Sequence, residues 1–338
     1  MNGSGCRDRF QMLNFIFLKN TAMGSLSRRK FIRSGTGILG LAWAGLPFGR
    51  WPRDVDGPGV SALRLSYSTL GCPDWSFDDI LNFAVQYGYR AIELRGILTK
   101  LEAFDCPQFS DGPAIEATRK KMEEKGLSFI DLCSSTELHV ADSGLRRTGL
   151  DAARRYIDLA QQLNCPFVRV FPNHLPKDQG REATLDLIVK GLLELGDHAK
   201  GGSVSVLMET HGDLVDTATL KQVMQSAKHP HTGLIWDFYN MWSVTGEPPE
   251  HVYAELKDYI RHTHIKDGMK VDGKERLTLL GQGQAPVFET IQALVKGGYE
   301  GFYSFEWEKR WNPGIEAPEL AIGAYPKAME AIFKRVGV

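Results

Sequence analysis

The 338-residue chain predicts a single closed (β/α)₈ barrel, the TIM-barrel form of the α/β class, on two observations. From residue 62 onward, apolar strand-like runs alternate with helical patterns eight times over, which implies a parallel sheet with crossover helices. Four of those runs, the last four, also end in a side chain able to bind a metal: Glu209, Asp237, His264 and Glu306. An open doubly wound sheet is the runner-up. No glycine-rich nucleotide loop follows the first strand, which weighs against it.

The first strand reads as Leu63–Tyr67, and Ser76-Phe-Asp-Asp caps a helix running to Gln86. Gly88–Arg95 is the second strand, followed by a loop from Gly96 to Gly112 and a helix from Pro113 to Gly126. Strand three, Leu127–Cys133, leads to a polar loop bearing Glu137 and His139, then a helix from about Gly149 to Leu163. Strand four, Phe167–Phe171, is stopped by Pro172, and a helix spans Arg181–Lys200. Val-Ser-Val-Leu-Met from Val204 runs straight into Glu209, the pattern of a buried strand delivering polar chemistry at its tip.

Asp216 then caps a helix ending near Lys228. Strand six is Thr232–Asp237, and Pro248-Pro249 open the sixth helix. Strand seven is Ile260–Lys266. A glycine-rich excursion from Asp267 to Pro286 carries a hairpin signal at Asp272-Gly273. Val287–Lys296 is the seventh helix, Phe302–Glu306 the eighth strand and Glu319–Val336 the closing helix.

Residues 1–61 are set apart as a leader and linker, with the barrel over 62–338. Ser27-Arg-Arg-Lys-Phe-Ile-Arg33 followed by a Gly/Ala-rich run from Gly35 to Phe48 matches a twin-arginine export signal. The expected location is periplasmic or otherwise extracytoplasmic. Translation start at Met12 or Met23, and cleavage after Ala44 or Ala62, stay open. Cutting after Ala62 removes nine basic and three acidic residues, leaving 31 against 38 and a net charge of −7. That charge argues against a nucleic-acid partner. No run after residue 60 approaches the ~20 apolar residues of a membrane span. Cys6, Cys72, Cys106, Cys133 and Cys165 show no CxxC spacing, so four of them read as small buried residues of the barrel.

An acid at a buried strand tip is costly unless it is paired or coordinated. Three carboxylates and an imidazole favour Mn²⁺, with Mg²⁺, Co²⁺ or Zn²⁺ as alternatives. His262, His264 and Lys266 share strand parity and face one side. Lys266 is either a substrate contact or a salt-bridge partner. Glu93, Arg95 and Arg169 near strand tips, with His139, His174 and His211 in loops, are second candidates for substrate contact. Trp75, Trp236 and Trp307 read as core by default, with a sugar-stacking wall as the alternative.

Leu207-Met-Glu-Thr-His211, Trp236-Asp237, His262-Thr-His-Ile-Lys-Asp267, Leu280-Gly-Gln-Gly283 and Gly298-Tyr-Glu-Gly-Phe-Tyr-Ser-Phe-Glu306 resemble the xylose isomerase-like superfamily, in its sugar phosphate isomerase/epimerase branch. The resemblance spans nearly all of residues 62–338. It implies that Glu209, Asp237, His264 and Glu306 ligate one divalent ion, and that Glu209 and Glu306 move a proton through an enediolate. One departure stands out: many members carry histidine three residues after the strand-six aspartate, where this chain has Asn240. An amide can hydrogen-bond a hydroxyl but cannot take a proton.

The expected activity is therefore isomerisation or epimerisation of a small carbohydrate, non-phosphorylated if the protein is exported. A lyase acting on 3-keto-glycosides is the enzyme alternative. A non-catalytic sugar-binding barrel is the alternative of a different class, and a homo-oligomer is open. The superfamily's nuclease branch fits poorly, given the acidic charge and the few strand-tip histidines.

Overall fold

The computed structural model describes residues 63–337. The leader expected over residues 1–61, Arg28 and Arg29 included, lies outside the described residues. The strands are β1 (Leu65–Ser68), β2 (Ala91–Leu94), β3 (Ser128–Glu137), β4 (Phe167–Phe171), β5 (Ser205–Glu209), β6 (Thr232–Asp237), β7 (Ile260–Ile265), β8 (Asp267–Val271), β9 (Lys274–Thr278) and β10 (Tyr303–Phe305). Eight of them close in the order β1-β10-β7-β6-β5-β4-β3-β2, every pairing parallel. Because β1 pairs with both β2 and β10, the open-sheet alternative is overturned.

The helices are α1 (Phe77–Gln86), α2 (Gly112–Glu124), α3 (Ser143–Gln162), α4 (Arg181–Ala199), α5 (Thr217–Ser226), α6 (Phe238–Thr245), α7 (Pro249–Leu256), α8 (Val287–Lys296) and α9 (Pro318–Val336). Ser76 and Asp79 form a reciprocal capping box at the start of α1. Among the described residues no helix is long and apolar enough to cross a membrane. Strand interiors are buried on both faces, as a parallel barrel requires: β5, β6 and β10 have no residue above the buried class. Cys72, Cys106, Cys133 and Cys165 are all buried, as expected. Trp75, Trp236 and Trp307 are core residues, with Trp307 fully enclosed.

β3 runs on to Glu137, a residue the sequence pattern assigns to a loop, and three further segments depart clearly from expectation. β2 starts at Ala91 because Gly88, at φ +75°, closes the turn after α1, donating to Val85 O. α3 starts six residues early, capped by Asp142, whose carboxylate accepts from Leu145 N. An unexpected helix, α6, follows β6 directly: Asp237 itself caps it, and Gly246 ends it at φ +70°. The hairpin signal holds. β8 and β9 pair antiparallel across Asp272 and Gly273, both at positive φ, the requirement of a type I′ turn.

Register places the strand tips. Asp237 lies opposite His264 across β6 and β7, and Ser304 lies opposite His264 across β10. Glu306 is the first residue beyond β10, and Lys266 sits between β7 and β8.

Candidate metal centre

Glu209, Asp237, His264 and Glu306 converge at the C-terminal mouth of the barrel, all buried, with one ligand atom from each inside a 4.8 Å circle. His264 Nδ1 lies 3.7 Å from Glu209 Oε1, 3.6 Å from Asp237 Oδ2 and 3.4 Å from Glu306 Oε1. Each ligand atom therefore faces the others.

The remaining polar atom of each residue is held from behind. Arg169 Nη1 donates to Glu209 Oε2 at 2.9 Å, and Asn240 N donates to Asp237 Oδ1 at 2.9 Å. Lys266 Nζ donates to Glu306 Oε2 at 2.7 Å. His264 Nε2 lies 3.0 Å from Glu93 Oε2. Lys266 is wholly enclosed and also contacts Glu308 Oε1 at 2.6 Å. Its ammonium lies 2.7 Å from Asp237 Oδ2 as an ion pair, off the line of a hydrogen bond.

Among the described residues, His264 Nδ1 is buried with no hydrogen-bond partner, and Asp237 Oδ2 is buried with the Lys266 ion pair and no hydrogen bond. An unpartnered polar atom this deep is costly. Oxygen and imidazole nitrogen donors converging on one point suit a divalent cation, so the residues present fit such an ion.

The electrostatics agree with ionised carboxylates at Glu209 and Glu306. Burial pushes the Glu306 carboxyl up, but His264 and Lys266 outweigh it and hold it well below the usual carboxylate range. Burial and the charge of Glu306 raise Glu209, yet Arg169 and His264 bring it below its ordinary value. Burial opposes the charged imidazole of His264, but Glu306, Glu93 and Glu209 raise its pKa well above normal. Lys266 is raised too: Asp237, Glu306 and Glu308 overcome its burial. Glu308 behaves oppositely, its carboxyl pushed up chiefly by burial.

Of the remaining residues singled out from sequence, Lys266 and Arg169 touch ligand carboxylates directly. Arg169 is locked there: Nη2 donates to Ser134 O, and the guanidinium lies 4.0 Å over the Phe171 ring. Asn240 acts through its backbone, while its side-chain amide donates to Thr210 O at 3.3 Å. His211 and His139 lie at the rim. His211 Nδ1 pairs with Asn173 Oδ1 at 2.8 Å, Asn173 Nδ2 donates to Glu137 Oε1 at 2.6 Å, and His139 Nε2 is 3.9 Å from Glu137 Oε2. Gly212 permits this rim: at φ +66° a Cβ would fall 2.1 Å from Asn173 O.

From sequence, Glu93 is expected as a substrate contact. Its carboxylate is fully buried below His264, where His262, His264, Ser304 and Cys133 surround it. His262 is enclosed too, and its Nε2 is hydrogen-bonded to Glu93. Asp267 also gains a role. Its carboxylate accepts from the backbone N–H of Gly268, Gly281, Gly283 and Ala285, which ties the Leu280–Gly283 motif to the end of β7. A Cβ on Gly283 would sit 2.0 Å from Asp267 Oδ1. Sequence reasoning missed Glu308, Asn173 and Ser304 as parts of the site. Only Ser304 had a signal, sharing strand parity with Glu306.

A family profile described as xylose isomerase-like TIM barrel matches residues 81–331. The chain belongs to that family. Fructoselysine 3-epimerase from Shigella flexneri is 22% identical over 172 residues, 49% of this chain and 61% of the relative. This chain thus spans about three fifths of that relative's length. Among solved structures, 3-keto-D-glucoside 4-epimerase from E. coli superposes with a TM-score of 0.62 at 15% identity, over 80% of this chain and 99% of that one. A xylose isomerase-like TIM barrel protein from Mycobacterium smegmatis, in complex with magnesium, gives 0.63 at 18% identity, over 83% and 99%. These likenesses establish the shared fold.

Proposed function

We propose that this family member is a divalent-metal-dependent isomerase or epimerase of a non-phosphorylated carbohydrate, with Glu209, Asp237, His264 and Glu306 as the ligands. The observation carrying this reading is the paired geometry of the four: one atom of each faces inward, the other is fixed by a donor or acceptor behind it. Such an ion, with Mn²⁺ favoured, would supply Lewis-acid polarisation of a substrate carbonyl. The epimerase names of the relatives support a sugar substrate.

Glu209 and Glu306 approach the centre from opposite sides of His264 in the strand order, and both have carboxyls held below the usual range. Ionised carboxylates there can accept a proton from the carbon beside the carbonyl and return it. Lys266, with its charge secured by three acids, is placed to stabilise oxyanion charge at the mouth. Arg169 keeps Glu209 oriented. His211, His139 and Asn240 remain the proposed contacts to substrate hydroxyls. Elimination from a 3-keto-glycoside is the second reading. It is favoured by Glu308, whose raised carboxyl beside Lys266 could protonate a leaving oxygen.

The test is deuterium exchange in D₂O with a keto sugar and with a 3-keto-glucoside, alongside metal analysis. Label appearing beside the carbonyl, lost in Glu306→Gln with metal retained, supports the assignment, and the products separate isomer, epimer and eliminated species. Full turnover in chains altered at each of the four ligand positions would refute it. Residues 1–61 are proposed as an export leader. Changing both Arg28 and Arg29 to Lys should then keep the protein in the cytoplasm, and unchanged export would reject that role.

A further inference from the structure

Glu93 reaches into the barrel from β2, three strands round from β7 in the closed order. One of its oxygens, Oε2, lies 3.0 Å from His262 Nε2, 3.0 Å from His264 Nε2 and 3.1 Å from Ser304 Oγ. The other oxygen takes the Cys133 thiol at 3.4 Å. The carboxylate has no exposure to solvent, so these contacts replace its hydration. An ionised carboxylate only accepts hydrogen bonds, so both imidazoles must donate to it from Nε2.

The consequence falls on the opposite edge of His264. Nδ1 faces Glu209, Asp237 and Glu306 at 3.4–3.7 Å. On their own, three acidic oxygens favour a neutral imidazole with its proton on Nδ1, pointing at them. That tautomer has no lone pair on Nδ1 to give a cation. Glu93 opposes it by drawing the proton to Nε2.

We infer that Glu93 is a positioning residue that selects the Nε2–H tautomer of His264 and fixes its ring, leaving Nδ1 free to ligate a divalent cation. This rests on reading the four-residue cluster as a cation site. A carboxylate behind a ligating histidine raises its basicity and fixes its orientation, and losing one generally weakens metal binding 10- to 100-fold. A glutamine at this position would bring an NH₂ donor against two ring N–H groups, so both imidazoles could no longer donate to it.

The experiment uses the full chain, wild type and Glu93→Gln, titrated calorimetrically with Mg²⁺ and Zn²⁺ alone. Long-range ¹H–¹⁵N spectra of the histidine rings are recorded on the metal-free proteins, at a pH high enough for the rings to be neutral. The wild type should show His264 protonated at Nε2 only. The variant should melt cooperatively, bind ~10- to 100-fold more weakly and lose that tautomer signature. Equal affinity in both proteins, with an unchanged His264 signature, would overturn the inference while leaving the cation site intact. A wild-type His264 bearing its proton on Nδ1 would overturn it even if Glu93→Gln failed to fold. A wild type that binds no divalent ion would instead sink the reading of the centre itself.

Discussion

The two halves of the barrel do different work. The half from β5 onward brings the four inward-facing atoms, one from the tip of each of β5, β6, β7 and β10. From the half before it, β2 and β4 contribute Glu93 and Arg169, whose polar groups are spent on holding those ligands. The difference teaches that a site on a parallel barrel needs as much polar chemistry behind the ligands as in front of them. A carboxylate free to rotate would present its inward atom only part of the time. Here each ligand has a fixed partner: Glu209 is held by Arg169 from the neighbouring strand β4, and His264 by Glu93 from β2, three strands away.

The largest effect should follow from breaking the ligand half at one point. Asp237→Asn keeps an excellent cap for α6, because asparagine can still accept from Asn240 N. It removes one negative charge from the cation site. Metal content and turnover should be lost together while the melting temperature stays near that of wild type. Inductively coupled plasma analysis and a thermal melt check the two halves of that expectation.

The next effect strikes the holding half. Arg169→Met leaves Glu209 buried and unpaired against Glu306, and removing one partner of a buried pair typically costs about 3–5 kcal/mol. Urea unfolding in the presence of a chelator should show a loss of that order. Saturating cation should recover part of it, since a ligated carboxylate is again compensated. No recovery would mean that Arg169 supports the fold without supporting the centre.

A third prediction concerns the layer beneath. Burial, then the charge of Glu93, pushes the Asp131 carboxyl up to about 7. Its folded value exceeds its unfolded one, so its contribution is fully present below the unfolded pKa and is lost as pH rises through about 7. Wild type should therefore lose roughly 2–3 kcal/mol from this residue between pH 5 and pH 8. Asp131→Asn cannot ionise and should gain on wild type as pH rises, in denaturant melts at the two values. A difference that stayed constant with pH would place the proton elsewhere.

The ligand half was the legible half. Glu209, Asp237, His264 and Glu306 each follow an apolar run at a strand tip, so local pattern and strand position were enough to nominate them. The holding half was not, for a physical reason. Glu93 and Arg169 carry the same residue types as any strand-end salt bridge, and their roles depend on which strands the closed barrel sets beside one another or face to face. Glu93 meets His264 across 171 positions of sequence, a pairing no local pattern encodes. The α6 helix was hidden differently: Asp237 serves as ligand and cap at once, and its first role masked the second. The rim pairing of Asn173 with His211 and Glu137 depends on a loop conformation at positive φ, again beyond periodicity.

The smallest effect should come from the same half of the barrel but outside its interior. Ser76 caps α1, accepting from Asp79 N while the Asp79 carboxylate accepts from Ser76 N. Ser76→Ala removes one side of that box and should cost about 1 kcal/mol of stability. Its position lies on the loop between β1 and α1, and its side-chain hydrogen bonds are made with Asp79, away from the centre. Cation affinity should therefore match wild type in calorimetry even as the denaturation midpoint falls. If it fell in step with stability, the division would be wrong. Destabilising any part of the first half would then loosen the centre, and Glu93 and Arg169 would hold it no more specifically than a helix cap does. If affinity holds while Arg169→Met weakens it, the supporting role belongs to the side chains that touch the ligands.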